Sequence, residues 1–241
     1  LIRHFFRYDR NLLNSLCHCA AHALREFFRT TLNLPKGTPG VVMAIQTFGD
    51  YVKWNPHLHA IVADGLFTSR GIFHVMPEVS LKPLARIFRA AVFRELRDRG
   101  FINDEFIAKL MAWRHTSGFS VHNGVRIDAG DNKGLEGLAQ YVIRNPFSTA
   151  KMTYNRQTGT VIYRSKMTHG TNRRNFQVFA ADEFILAITQ HIPEKNFQLI
   201  RYYGWYSNRM RGERRKVELQ KEEGVSLAGG GGEIIVIADY E

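Results

Sequence analysis

The chain has 241 residues, 44% of them apolar, which is enough to bury a core as one principal domain with extensions. Its 33 Lys and Arg against 22 Asp and Glu leave a formal charge of +11, a balance that suits a phosphate-bearing partner such as nucleic acid better than an acidic small molecule. No apolar stretch approaches the ~20 residues of a membrane span and the start lacks a secretory signal, while Cys17 and Cys19, the only cysteines, support neither a disulfide framework nor a thiolate zinc site, so a reducing cytoplasm is the expected compartment.

In residues 9–34 the apolar positions Leu12, Leu13, Leu16, Ala20, Ala23, Leu24, Phe27 and Phe28 recur at helical spacing, with Asp9 placed to cap the helix. Pro35-Lys36-Gly37-Thr38-Pro39-Gly40 ends it, and residues 41–48 read as a largely buried strand. A second strand around 57–62 follows a short connection, so the two are expected to be sheet neighbours, and a hairpin over 65–76 is expected to continue the sheet. Helices are predicted over 81–97 and 104–113, a strand over 119–122, and a helix opening at Asp131-Asn132-Lys133-Gly134 and ending before Pro146. Strands near 160–164 and 175–179 then precede a helix over 181–191, and the sheet is expected to draw on these distant segments. Residues 201–216 mix aromatics with a basic run, and 229–232 read as a flexible glycine link. This order predicts an α+β fold in which helices pack on one face of an antiparallel sheet and leave the other face to a ligand. The expected division is a catalytic domain over 1–200 and a basic, aromatic segment over 201–241. Because the chain opens on Leu and closes within an apolar run at 233–240, it reads as part of a longer protein.

His57 and His59, in Asn55-Pro56-His57-Leu58-His59-Ala60-Ile61-Val62, flank one apolar residue on a predicted strand and so share a face. Such a pair can hold a metal ion; the same alternation also fits a polar strand face with hydrogen-bonded partners. A pair leaves a metal short of ligands, and Gln46 on the preceding strand is the best third donor, its amide oxygen suiting a hard ion such as Mg²⁺ or Mn²⁺. Asp50 and Asp64 rank below it, since Asp64 precedes Gly65 in a turn-like pair. With open positions left on the metal, a phosphoryl oxygen could be polarised there. Neither a Ser-His-Asp context nor a phosphate-binding GxxxxGK[ST] loop is present, so acyl transfer and nucleotide hydrolysis lack support. Tyr141, with Arg144 one turn on, is the remaining attractive nucleophile, although a tyrosine on a helix also fits core packing.

Four blocks in order, Ala44-Ile45-Gln46-Thr47-Phe48-Gly49-Asp50, Asn55-Pro56-His57-Leu58-His59, Leu138-Ala139-Gln140-Tyr141-Val142-Ile143-Arg144 and Arg201-Tyr202-Tyr203-Gly204-Trp205-Tyr206-Ser207, resemble the rolling-circle insertion-sequence transposases of the HUH superfamily. The resemblance covers nearly the whole chain and implies a single-stranded DNA transferase on a ferredoxin-like sheet. By it, His57 and His59 are ligands of a divalent metal and Tyr141 is the nucleophile that leaves a 5′-phosphotyrosine and a free 3′-OH, with no nucleotide cofactor. The expected partner is single-stranded DNA at element ends, in the cytoplasm of a prokaryote and associated with its nucleoid. Gly137 stands four positions before Tyr141, so the chain resembles the one-tyrosine members; successive cleavages then need turnover of that tyrosine or a second subunit in a homodimer. Tyr202 and Tyr206 share the four-residue spacing but read as packing or DNA-stacking residues. The cysteine-rich zinc modules found at the ends of many relatives are not present in the sequence.

For DNA contact, Arg144, Arg173, Arg174, Arg209, Arg211, Arg214, Arg215 and Lys216 offer phosphate partners, and Trp205 offers a surface for unpaired bases. His18 and His22, one helical turn apart, read as solvent-facing. A relaxase or replication initiator of the same chemistry, an inactive DNA-binding remnant and a zinc hydrolase of a small molecule are the competing readings.

Overall fold

The computed structural model describes residues 2–113, 118–128, 130–165, 175–222 and 234–238. In chain order the elements are α1 (Phe5–Tyr8), α2 (Asn11–Thr31), β1 (Gly40–Phe48), β2 (Trp54–Ala63), β3 (Gly65–Phe67), β4 (Phe73–Val75), α3 (Lys82–Asp98) and α4 (Asp104–Met111). They continue with β5 (His122–Ile127), α5 (Asn132–Val142), β6 (Met152–Asn155), β7 (Thr160–Arg164), β8 (Phe176–Ala180), α6 (Ala181–Thr189), β9 (Ile200–Gly204), α7 (Asn208–Glu222) and β10 (Ile234–Ala238). The fold is α+β, built on a five-stranded sheet of order β5-β10-β2-β1-β9 in which every neighbouring pair is antiparallel.

Strand alternation sorts the two faces of this sheet. Val41, Met43 and Ile45 of β1, with Leu58, Ala60 and Val62 of β2, face the main core, where they meet the apolar stripe of α2 (Leu12, Leu16, Ala20, Ala23, Phe27) and that of α3 (Leu84, Phe88, Val92, Leu96). The intervening residues, Ala44 and Gln46 on β1 and His57, His59 and Ile61 on β2, face the other way. There α5 packs, setting Leu138 and Val142 against Ala44, Ile61 and Ile127.

The helices are thus not confined to one face: α2 and α3 cover one and α5 crosses the opposite one, because Ala44 and Ile61 give its apolar stripe a surface beside the histidines. Three further expectations are corrected. The hairpin β3–β4 forms its own two-stranded ribbon and does not extend the sheet. Strands β7 and β8 join β6, which the sequence reading missed, in a separate three-stranded sheet. That sheet has a small core of its own, Val161 and Tyr163 with Phe184 of α6 and Val52. Finally, the expected boundary at residue 200 cuts a strand: β9 pairs with β1, and β10 lies between β2 and β5. The glycine link at 229–232 lies outside the described residues. No helix among the described residues is long and apolar enough to cross a membrane.

One turn is set by glycine. Gly204 ends β9 at φ 57°, and a Cβ there would stand 1.9 Å from the Pro39 carbonyl oxygen, so a side chain is excluded by backbone conformation and by space.

Candidate active site

The β1–β2 hairpin places the histidines. Gln46 pairs with His57 and Phe48 with Trp54, so Asn55 and Pro56 oppose Thr47 alone, as a two-against-one bulge. Pro56 has no N–H for a ladder, and a bulge is where a mid-sheet strand tolerates that loss. Directly after it, His57 and His59 project to one face with ring centroids 4.9 Å apart. Both are buried, His57 at 5% exposure and His59 at 0%. His57 Nδ1–H donates to the Asn55 carbonyl at 2.7 Å, which fixes its tautomer and leaves the lone pair on Nε2, the arrangement a metal-ligating imidazole needs.

α5 brings the tyrosine to this pair. Asp131 caps the helix, its side chain accepting from Gly134 N–H at 2.9 Å, and the helix ends at Val142 before Pro146. Tyr141 lies edge-on to His59 with ring centroids 5.3 Å apart, and it is 39% exposed. The Arg144 guanidinium sits 4.7 Å from the Tyr141 ring centroid and 5.6 Å from that of Phe48, near enough for cation–π attraction to both. The histidine pair and the phenol therefore meet on one side of the sheet.

Beside them opens a cleft of about 450 Å³, lined by His57, Tyr141, Arg144 and the polar side chains of Asn55, Ser148 and Ser165. Arg3, Lys151 and Arg164 also line it; the sequence does not single them out, because they come from the N-terminal turn, the segment before β6 and the end of β7, and no local pattern joins them. Tyr51 and Tyr163 are cleft residues as well. The Tyr163 hydroxyl accepts from Ser148 N–H at 3.1 Å, and Tyr51 packs onto the core of the small sheet.

The wall between β1 and β2 is strained. Tyr51 (φ 56°) and Val52 (φ 60°) both adopt the left-handed conformation, which for a β-branched residue costs on the order of 1–3 kcal/mol. His191 holds this turn: its Nε2–H donates to the Val52 carbonyl at 2.8 Å, its Nδ1 accepts from the Thr47 hydroxyl at 2.9 Å, and its ring stacks on Trp54. Burial lowers the His191 pKa below its ordinary 6.5, so the imidazole stays neutral in the fold. The unfolded chain takes up a proton at a higher pH than the folded one, and stability falls as pH drops through 6.5. Urea titrations are expected to show this loss at up to about 1.4 kcal/mol per pH unit, with a shallower dependence in His191→Gln; identical slopes would remove His191 from the account.

Gln46 is buried opposite His57. Its Nε2 donates to the Val142 carbonyl at 2.8 Å, and its Oε1 has no hydrogen-bond partner among the described residues. Asp64 is not near it; it lies at the far end of β2 and pairs with Arg126 at 2.7 Å. Asp50 lines the cleft. Among the described residues no group of three or more His, Cys, Asp and Glu side chains could hold a metal ion.

The expected DNA contacts divide. Arg144 stands in the cleft, and Arg173 and Arg174 lie outside the described residues. Trp205 is not brought to the cleft: its indole stacks on Phe67 at 4.7 Å, and the Arg214 guanidinium sits 4.5 Å over the ring. Both residues are thereby engaged within the protein. Arg209, Arg211, Arg215 and Lys216 are exposed on α7, with Arg209 paired to Glu213. That helix follows Gly204, which pairs with Gly40, about 20 Å along β1 from Gln46. Tyr206 packs over Gly40, and burial raises its pKa.

A His-x-His strand facing a tyrosine helix beside a basic cleft defines the site of this α+β domain. The family model Y2_Tnp, described as "Putative transposase", matches residues 40–214, and the chain belongs to that transposase family. It is 23% identical over 225 residues to the transposase for insertion sequence element IS801 of Pseudomonas savastanoi pv. phaseolicola, covering 86% of this chain and 52% of that protein. It is 25% identical over 189 residues to the "Putative transposase y4qJ" of Sinorhizobium fredii, covering 71% of this chain and 47% of that protein. The chain thus spans about half the length of the curated relatives it matches. No solved structure matches it.

Proposed function

We propose that this chain carries the catalytic domain of a rolling-circle insertion-sequence transposase, which nicks and rejoins single-stranded DNA through a 5′-phosphotyrosine. The observation that carries the reading is the meeting of the Tyr141 phenol with the His57–His59 pair at a cleft lined by Arg3, Arg144, Lys151 and Arg164. The residues present fit a divalent ion, Mg²⁺ or Mn²⁺: two imidazoles on one face and a buried amide oxygen, Gln46 Oε1, that lacks a donor among the described residues. When bound there by His57, His59 and Gln46, such an ion supplies Lewis-acid polarisation of a phosphoryl oxygen.

The protein's own groups do the rest. The four basic side chains of the cleft hold the phosphodiester backbone. Arg144, lying against the phenol ring, restricts its rotamers. The Tyr141 oxygen attacks phosphorus as its proton leaves, the bond from phosphorus to the 3′-oxygen breaks, and that oxygen takes up a proton as a free 3′-OH. In the reverse sense an incoming 3′-OH attacks the phosphotyrosine and releases Tyr141. One phosphodiester is exchanged for another, so no nucleotide cofactor is consumed. Where two ends must be held at once, a homodimer supplies the second tyrosine.

The test is incubation with Mn²⁺ and oligonucleotides carrying an element end. A single-stranded oligonucleotide is expected to give a denaturant-stable protein–DNA adduct whose modified peptide contains Tyr141, and the fully paired duplex is expected to give little. Salt-sensitive binding without an adduct would favour the inactive DNA-binding remnant.

A further inference from the structure

A helix leaves its last carbonyls without intrahelical donors. At the end of α5, Ile143 N–H reaches back to Ala139 and Tyr141. The carbonyl of Val142 needs another donor, and Val142 is only 4% exposed, so water is a poor substitute. Gln46 provides it from β1. Gln46 is itself 4% exposed, and the bond to Val142 orients its whole amide: with the NH₂ committed to the helix, Oε1 is left buried without a donor among the described residues, on the sheet face that carries His57 and His59. A buried acceptor in that state is costly unless something electropositive meets it.

We infer that Gln46 is a positioning residue that couples the histidine site to the tyrosine helix, its Nε2 capping α5 one residue after Tyr141 and its Oε1 serving the cation. The cation half rests on the reading under Proposed function, and the cap rests on the observed bond. Charge drawn to Oε1 polarises the amide and strengthens Nε2–H as a donor. By linkage, a cation at the site tightens the end of α5, and a well-seated α5 raises affinity for the cation.

The experiment compares the full chain with Gln46→Glu and Gln46→Leu by amide hydrogen exchange over residues 139–146, calorimetric Mn²⁺ titration and the rate of adduct formation. In the unmodified chain Mn²⁺ is expected to slow exchange at residues 143–145 by about fivefold. Gln46→Glu keeps an oxygen but loses the donor: Mn²⁺ affinity stays within about threefold, exchange at 143–145 no longer responds to Mn²⁺, and the adduct rate falls by about tenfold. Gln46→Leu loses both, with Mn²⁺ affinity down by at least about tenfold. Mn²⁺ that binds the unmodified chain without changing exchange at 143–145 overturns the coupling, as does an adduct rate in Gln46→Glu equal to that of the unmodified chain. The Mn²⁺ response of the unmodified chain needs no variant, so a folding defect in either one does not shield the inference. Absence of Mn²⁺ binding in the unmodified chain also overturns the coupling; if exchange at 143–145 still quickens in Gln46→Glu, the cap survives while the cation reading fails.

Discussion

Tyr141→Phe is expected to abolish the covalent protein–DNA adduct, lowering its rate of formation by about 10⁴-fold or more, the scale on which removal of a nucleophile acts. The substitution deletes only the hydroxyl of a side chain that is 39% exposed. Its ring contacts with His59 and Arg144 survive, and unfolding stability is expected to change by no more than about 1 kcal/mol. Intact binding of a single-stranded oligonucleotide with loss of the adduct is the expected pattern. An undiminished adduct in this variant would move the nucleophile elsewhere. Tyr51 and Tyr163 share the cleft and would be examined first; Tyr206, packed over Gly40 at the other end of β1, is too far from the histidines to replace it.

The second large effect is expected from His57→Ala combined with His59→Ala. With both imidazoles gone, Gln46 alone cannot hold a divalent ion, and Mn²⁺-dependent adduct formation is expected to fall by about 10³-fold, which corresponds to roughly 4 kcal/mol of transition-state stabilisation. His59 is wholly buried against Tyr141, so its truncation also loosens packing. Thermal unfolding without metal measures that loss separately. In the unmodified chain Mn²⁺ is expected to raise the melting temperature, since a ligand that binds only the folded state stabilises it, and the double variant is expected to lose this response. A double variant that retained Mn²⁺-dependent cleavage would remove the pair from the site.

The elements with the strongest periodicity are legible in the sequence. The apolar stripe of α2 was visible at Leu12, Leu16, Ala20, Ala23 and Phe27, and β1 and β2 were expected as neighbours from the short link between them, as their register bears out. Helix α5 was bracketed by Asp131 and Pro146, which act through local backbone chemistry. The strand alternation that puts His57 and His59 on one face was equally local. What failed was assignment of strands to sheets. β7 and β8 were recognised as strands, yet nothing in their residues says that they pair with β6 and α6 around Val52 and not with β1. β9 and β10 were not expected as sheet strands because their partners lie more than 100 residues away in the chain.

Trp205 shows the same limit at a single residue. Aromatic and basic side chains in one run suggest stacking on bases, and only the position of Phe67, brought alongside by the β3–β4 ribbon, shows that the indole is occupied within the protein. Arg3, Lys151 and Arg164 are the converse case, since none belongs to a basic run and all reach the cleft.

Residue order alone thus settles the α+β class, the charge that suits a phosphate-bearing partner, and the candidate pair and tyrosine, because side-chain periodicity, capping and spacing act over a few residues. The choice of partner for each strand, the placing of α5 across the histidine face, and the bond from Gln46 to Val142 appear only in the folded chain. Several of those contacts join segments about a hundred residues or more apart, and which apolar surface meets which is settled by the packing of the whole molecule.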